Sequence, residues 1–142
     1  MRLRCQKAAL LVAVAIISCT GPSEPSSISA HFVLTDVDGF ALPATNDTHS
    51  QTVVSGTLSL DQGGGAVISE DLLDAAGMHY LRNLGYSYTI SNSKIIFDLG
   101  CPPDADCAPP PTGQILDNGL RVQLSYAAGH VFQKYNYRVS NP

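Results

Sequence analysis

Residues 85–99 read GYSYTISNSKIIFDL, and the fold follows from how this stretch is folded back on itself. With Asn92-Ser93 as a two-residue loop, Ile90 faces Ile95, Tyr88 faces Phe97 and Tyr86 faces Leu99. Every large side chain then falls on one face of both strands, which is the pattern of an antiparallel hairpin with one buried side.

The same period of two runs outward in both directions, broken every eight to twelve residues by turn formers. Upstream, His31 to Val37 ends in the turn pair Asp38-Gly39. Thr52 to Leu60 (TVVSGTLSL) is a half-buried strand, with Val54, Leu58 and Leu60 expected on one face and Val53, Ser55, Thr57 and Ser59 on the other. Asp61 to Gly65 (DQGGG) reads as a turn, because no Gly-Lys-Ser/Thr follows to make a phosphate cradle.

Downstream, Gln114 to Leu116 and Leu120 to Tyr126 flank Asp117-Asn118-Gly119, a strong turn signal. That hairpin places Leu120, Val122, Leu124 and Tyr126 on one face. A last strand, Val131 to Val139, sets Val131, Tyr135, Tyr137 and Val139 against Lys134, Asn136 and Arg138.

Ser69 to Leu84 is ambiguous. Leu73, Ala76, Tyr80 and Leu84 fit a helical face, and Ser69, Glu70 and Asp71 suit a helix start, but Gly77 costs about 1 kcal/mol in a helix interior. The reading adopted is two strands joined by a turn near residues 75–77. About eight short strands without a βαβ rhythm give an all-β, antiparallel class, either a closed barrel or a sandwich; closure removes exposed edges and favours the barrel.

The chain has 142 residues, enough for one domain. Residues 1–18 read as an export signal, with Arg2, Arg4 and Lys7 ahead of the apolar run Ala8 to Ile17. That run is about half of what a membrane-spanning helix needs. Removing it takes three of eight basic and none of twelve acidic residues, so the exported net charge is 5 − 12 = −7. That balance argues against a nucleic-acid partner. Residues 20–29 (TGPSEPSSIS), rich in Ser and Pro, complete with Cys19 a flexible stalk over 19–29, and the folded domain is expected over 30–142.

Two resemblances sharpen this picture. Ile16-Ile17-Ser18-Cys19 resembles a bacterial lipobox, which implies that Cys19 carries an acyl anchor such as palmitate and that the protein is a lipoprotein. The other reading is an ordinary signal peptide cut nearby. Thr20 stands where aspartate would be an inner-membrane retention signal, so the outer membrane is expected, facing the periplasm or the cell surface.

Phe32-Val33-Leu34, Val37-Asp38-Gly39, Leu42-Pro43, Ser55 to Leu60, Tyr86 to Ile90 and Tyr135 to Arg138 together resemble small bacterial lipocalin-like lipoproteins over residues 30–140. The resemblance implies an antiparallel barrel of about eight strands, an extracytoplasmic location and no catalytic residues. The chain departs from true lipocalins in having no tryptophan.

The remaining residues with chemistry are few. Cys101 and Cys107 lie in CPPDADCAPPPTG, and in an oxidising envelope they should form a disulfide; a metal clip with Asp104 and Asp106 is the alternative. The loop of residues 100–113 is the longest irregular insert, suited to binding or to a stiff spacer. Asp36 and Asp38 read as a strand-ending turn, because Phe40 and Ala41 occupy calcium-loop positions that need a ligand and a glycine. His31, His49, His79 and His130 lack ligand spacing and read as surface or turn residues, and no Gly-x-Ser-x-Gly elbow occurs.

Neither an enzyme nor a resident cofactor or metal is expected. Tyr86, Tyr88, Phe97, Tyr126, Tyr135 and Tyr137 are the candidate ligand-lining residues, although in a small barrel such side chains also serve as packing. Two functions remain: an anchored barrel binding a small apolar ligand, and a solid-cored structural or interaction module that meets another envelope protein.

Overall fold

A computed structural model describes residues 27–140. The expected signal peptide, Cys19 and the stalk as far as residue 26 lie outside the described residues. The strands are β1 (Ala30–Val37), β2 (Phe40–Ala41), β3 (Ala44–Asn46), β4 (Gln51–Leu60), β5 (Gly65–Leu73), β6 (His79–Ser91), β7 (Lys94–Asp98), β8 (Thr112–Leu116), β9 (Arg121–Ser125) and β10 (Lys134–Val139). Neighbours pair antiparallel from β4 through β10, β10 pairs with β1, and β1 pairs back with β4. These eight strands close an antiparallel barrel rather than a sandwich, and the short β2 and β3 are extra strands in the β1–β4 connection.

The ambiguous stretch is the two-stranded alternative. β5 and β6 pair from Gly65↔Ser87 to Leu73↔His79, and Asp74 makes the turn by accepting the N–H groups of Ala76 and Met78 on its side chain. The deciding hairpin also forms in the expected register, Tyr88↔Phe97 and Ile90↔Ile95. Asn92 and Ser93 both take positive φ, 50° and 61°, which matches the right-handed twist of the flanking strands.

The ladder stops at Ser87↔Asp98, however, so Leu99 does not face Tyr86 and is 40% exposed. Leu120 likewise leaves the expected core face. Asp117, Asn118 and Gly119 all take positive φ, β9 starts only at Arg121, and Leu120 remains on the turn, exposed. Strand β10 starts at Lys134 rather than at Val131, although Val131 and Phe132 are still buried.

Strand β4 corrects the face assignment. Val53 pairs with Leu72 and Ser55 with Asp71, so Val54 is the extra residue of a bulge. The bulge inverts the alternation upstream of it: Val53 is buried with Leu58 and Leu60, and Val54 is not part of that face. A second bulge at Thr35, between Leu34↔Tyr137 and Asp36↔Asn136, lets both Leu34 and Val37 point inward. Such bulges bend strands, as closure requires.

The two ends of the barrel differ. One end, here the closed end, has the compact turns at residues 61–64, 92–93 and 117–119, and the chain enters there. Tyr88 seals it. Its hydroxyl accepts the Ile28 N–H at 2.8 Å and shares its own proton between the Ile28 and Asp61 carbonyls at 2.6 and 2.8 Å. Ser27 donates to the Gln62 carbonyl, so the last residues of the expected stalk are fastened to the barrel. The opposite, loop end carries the connections 38–50, 74–78, 99–111 and 126–133.

The centre of the interior is filled by side chains, while Leu84, Tyr86, Ile90, Ile115 and Tyr126 nearer the rims are partly buried. Val37, Val53, Leu58, Ile68, Leu72, Leu124, Tyr135 and Tyr137 have 0% accessible surface, which leaves no water-sized gap beside them. Glycine is needed where the wall is tightest: a Cβ on Gly113 would lie 2.7 Å from the Ile95 Cβ, and one on Gly56 3.1 Å from Leu34. We predict that Gly113→Ala costs about 1–3 kcal/mol through overpacking. Gly85→Ala, where nothing lies within 4 Å, should stay within about 0.5 kcal/mol of the parent. Urea unfolding of the two variants checks this, and equal costs would contradict the filled interior.

Candidate functional site

Charges inside a small barrel are costly, and β5 and β6 place two of them there. Glu70 lies between Ile68 and Leu72 on the inward face, 1% exposed, and Arg82 stands directly across the ladder. Arg82 Nε donates to Glu70 Oε2 at 2.8 Å and Nη2 donates to the same oxygen, so the pair is charge-assisted and the other carboxylate oxygen, Oε1, is left without a partner. Burial pushes the Glu70 carboxyl above its ordinary range, with Arg82 pulling it back. Burial also works against the Arg82 charge, but Glu70 outweighs it and the guanidinium pKa is raised.

His130, on the 126–133 connection, caps this pair. Arg82 Nη2 lies 3.3 Å from His130 Nε2, and Nδ1 lies 3.1 Å from the Phe132 carbonyl. These contacts fit one neutral tautomer, in which Nδ1–H donates to Phe132 and Nε2 accepts from Arg82. The ring stacks on Tyr126 at 3.9 Å and meets Tyr135 edge-on at 5.5 Å. Burial, helped by the Arg82 charge, lowers its pKa from 6.5 to about 4. His130 is therefore in the expected turn but forms part of the interior, not of the surface.

Five of the six candidate ligand-lining residues gather around Glu70 and Arg82, with Tyr86 coupled to both charges and to Tyr126, and Tyr88 stands apart. Tyr126, Tyr135 and Tyr137 gather near Glu70, where burial raises all three phenols, and the hydroxyls of Tyr126 and Tyr137 are buried without partners. Tyr86 and Phe97 make an edge-to-face pair at 5.5 Å. Tyr88 is at the closed end, occupied with Ile28. Glu70, Arg82 and His130 are the residues that sequence reasoning missed. The signal was present: Ile68-x-Glu70-x-Leu72 and Arg82-x-Leu84-x-Tyr86 put one opposite charge each on the apolar face of adjacent strands.

The loop end is locked by side chains on backbone. Asp38 accepts the N–H groups of Gln133 and Lys134 at 3.0 and 2.8 Å, Asp36 accepts the Asn136 amide at 2.6 Å, and Asn46 holds the Val131 carbonyl. Both aspartates thus act structurally, as the turn reading expects. Cys101 and Cys107 are joined in a disulfide, so neither thiolate is available for the alternative metal clip. Among the described residues no group of three or more His, Cys, Asp or Glu side chains is placed to hold a metal.

Beside the disulfide loop, β7 and β8 part beyond Ile96↔Thr112 and leave a groove of about 440 Å³ lined by Phe97, Pro110, Pro111 and Gln123. The loop end is acidic: Asp38, Asp47, Asp71, Asp74, Asp98, Asp104 and Asp106 lie in or next to it, with Lys134 as counter-charge outside the buried pair. Neither a family model, nor a curated protein, nor a solved structure matches the chain.

The ion pair gives an asymmetric prediction. Arg82 keeps 28% of its side chain exposed and can turn toward water, whereas the Glu70 carboxylate cannot. Arg82→Met should cost about 3–5 kcal/mol at pH 7 by stranding the carboxylate, and Glu70→Gln only about 1–2. Replacing both, Glu70→Leu with Arg82→Met, should cost less than Arg82→Met alone. Unfolding free energies that rank the two single variants equal would contradict the pairing.

A second prediction concerns acid. The unfolded chain takes up a proton on His130 as pH falls below 6.5, while the folded protein resists until about 4. Stability that is full above pH 6.5 is therefore lost between those values and levels off below. Allowing for the solvent that reaches the ring, the loss is about 1–2 kcal/mol. The stability gap between the parent and His130→Asn should change by that amount, to the parent's disadvantage, between pH 7 and 4.5; a constant gap would refute the neutral, buried assignment.

Proposed function

We propose that the protein is a non-enzymatic lipoprotein of the cell envelope, held in the outer membrane by an acyl chain on Cys19. Its lipocalin-like barrel serves as a rigid support, and its acidic loop end meets a protein partner of opposite charge. The observation that carries this reading is the filled interior. Residues from Leu58 and Ile68 to Leu72, Leu124, Tyr135 and Tyr137 have no accessible surface, so no room for an apolar ligand is left among them, and the cavity beside Ile28, Ile90 and Ile115 opens at the rim. Recognition then falls to the surface, where the disulfide-clamped loop and the aspartates of the loop end project.

The sequence supports the tether through the positively charged start, the short apolar run and Ile16-Ile17-Ser18-Cys19. The lipocalin-like family reading rests on its own short motifs and on the closed eight-stranded barrel.

One observation favours a second reading. Glu70 Oε1 and the Tyr126 and Tyr137 hydroxyls are buried together without partners. They would suit a small, polar guest that donates hydrogen bonds near the loop end.

Native mass spectrometry of the protein extracted from its host's membranes tests both readings. The expected mass is the processed chain plus its acyl groups and nothing else, and Cys19→Ala should move the protein to the soluble fraction. A co-purifying lipid lost on denaturation would restore the apolar-ligand reading. A small polar adduct that disappears in Glu70→Gln would establish the second.

A further inference from the structure

The charges of the barrel are segregated along its axis. The described residues contain five Lys and Arg and eleven Asp and Glu. Three of the five cations, Lys94, Arg121 and Arg138, are exposed at the closed end, where β7 and β9 start and β10 finishes. Asp61 and Asp117 accompany them, and Asp36 lies within electrostatic reach of Arg121, giving 3 − 3 = 0, in a chain whose exported part carries −7. The first two are engaged locally, Asp61 by the Gly65 N–H and Asp117 by Arg121.

The closed end also has apolar surface, although most of the exposed large apolar side chains, Phe40, Met78, Leu81 and Leu99, belong to the loop end. A cavity of about 530 Å³ opens between Ile28, Ile90, Ile115, Leu116 and the turn at residues 117–119, and Leu120 stands 58% exposed on that turn. The segment that precedes Ser27 starts beside this cavity, because Tyr88 fixes Ile28 there. From Cys19 to Ser27 is eight residues, which reach about 28 Å at full extension. A bilayer that holds Cys19 is therefore within reach of the closed end.

We infer that the closed end docks flat on an anionic membrane surface, with Leu116 and Leu120 at the acyl boundary and Lys94, Arg121 and Arg138 among the headgroups. The acidic loop end is then repelled from the same surface and points away from it. Each basic residue near an anionic leaflet adds to the attraction, which salt screens. A tether alone leaves the barrel free to tumble, whereas the charge difference between the two ends, together with the entry point of the tether, selects one orientation. This inference rests on the Cys19 tether, and the experiment separates failure of the one from failure of the other.

The acylated full chain is reconstituted into vesicles, either pure phosphatidylcholine or phosphatidylcholine with phosphatidylglycerol. It carries a fluorophore at Gln62→Cys on the closed end or at Ala76→Cys on the loop end, and quenchers sit on the lipid headgroups. On the anionic vesicles the residue 62 label should be quenched several-fold more than the residue 76 label. The difference should collapse on pure phosphatidylcholine, in 0.5 M salt, and in Lys94→Gln/Arg138→Gln, while the protein still floats with the vesicles. Equal quenching at the two positions on anionic vesicles, or a difference indifferent to the charge substitutions, overturns the docking and leaves the tether standing. Failure to float with either composition overturns both.

Discussion

Closure of the sheet between β1 and β4 is the constraint on which the rest depends. Phe32 and Val33 of β1 pair with Val139 and Arg138 on one side and with Leu58 and Thr57 on the other. No main strand is left as an edge, and the circumference is fixed at eight strands. A barrel of that size has an interior that side chains just fill or that holds one small ligand, and here the central core residues have no accessible surface. From this follow the need for glycine at residue 113 and the zero accessibility of core residues at both ends.

Closure also explains why the buried charges occur as a pair. A lone carboxylate at Glu70 would be surrounded by Ile68, Leu72 and tyrosines, at a desolvation cost of several kcal/mol. Arg82 sits at the matching ladder position, reaches the carboxylate from Nε and Nη2, and keeps part of its own side chain in solvent. His130 then has to remain neutral, because a second cation 3.3 Å from the guanidinium would be opposed by both burial and charge. The 126–133 connection is thereby bound to the wall by polar contacts at His130, Asn46 and Asp38, in addition to its buried Val131 and Phe132. The loop end is consequently an ordered surface in spite of its length.

Much of the architecture was legible because alternation is a direct record of which face is buried. The 85–99 hairpin, the turn at residues 75–77 and the Cys101–Cys107 disulfide follow from local chemistry alone. The bulges at Thr35 and Val54 were not legible, since an inserted residue changes the phase of a strand without any compositional mark. The Val53/Val54 assignment failed for that reason, and Leu120 failed because three consecutive residues with positive φ lengthened a turn that Asn-Gly alone suggested was shorter. Glu70 and Arg82 were hidden by another cause: the 69–84 stretch was ambiguous between helix and strand. Only once β5 and β6 are paired do residues twelve apart in sequence become direct neighbours.

The place where the chain enters the barrel has a mechanical meaning as well. A load on the segment before Ser27 is not passed to β1 alone. Tyr88, near the closed-end terminus of β6, holds both backbone groups of Ile28 and lies opposite Phe97 in the deciding hairpin, while Ser27 grips the β4–β5 turn. Force entering there is divided over three hydrogen bonds to two residues of the wall, Tyr88 and Gln62, before it reaches the first β1 pair, Ala30↔Leu60. β1 is also the strand whose two-sided pairing closes the barrel, so peeling it would open the sheet. Fastening the entry segment across the closed end to β6 protects that seam, and it makes the tyrosine at residue 88 a structural clasp.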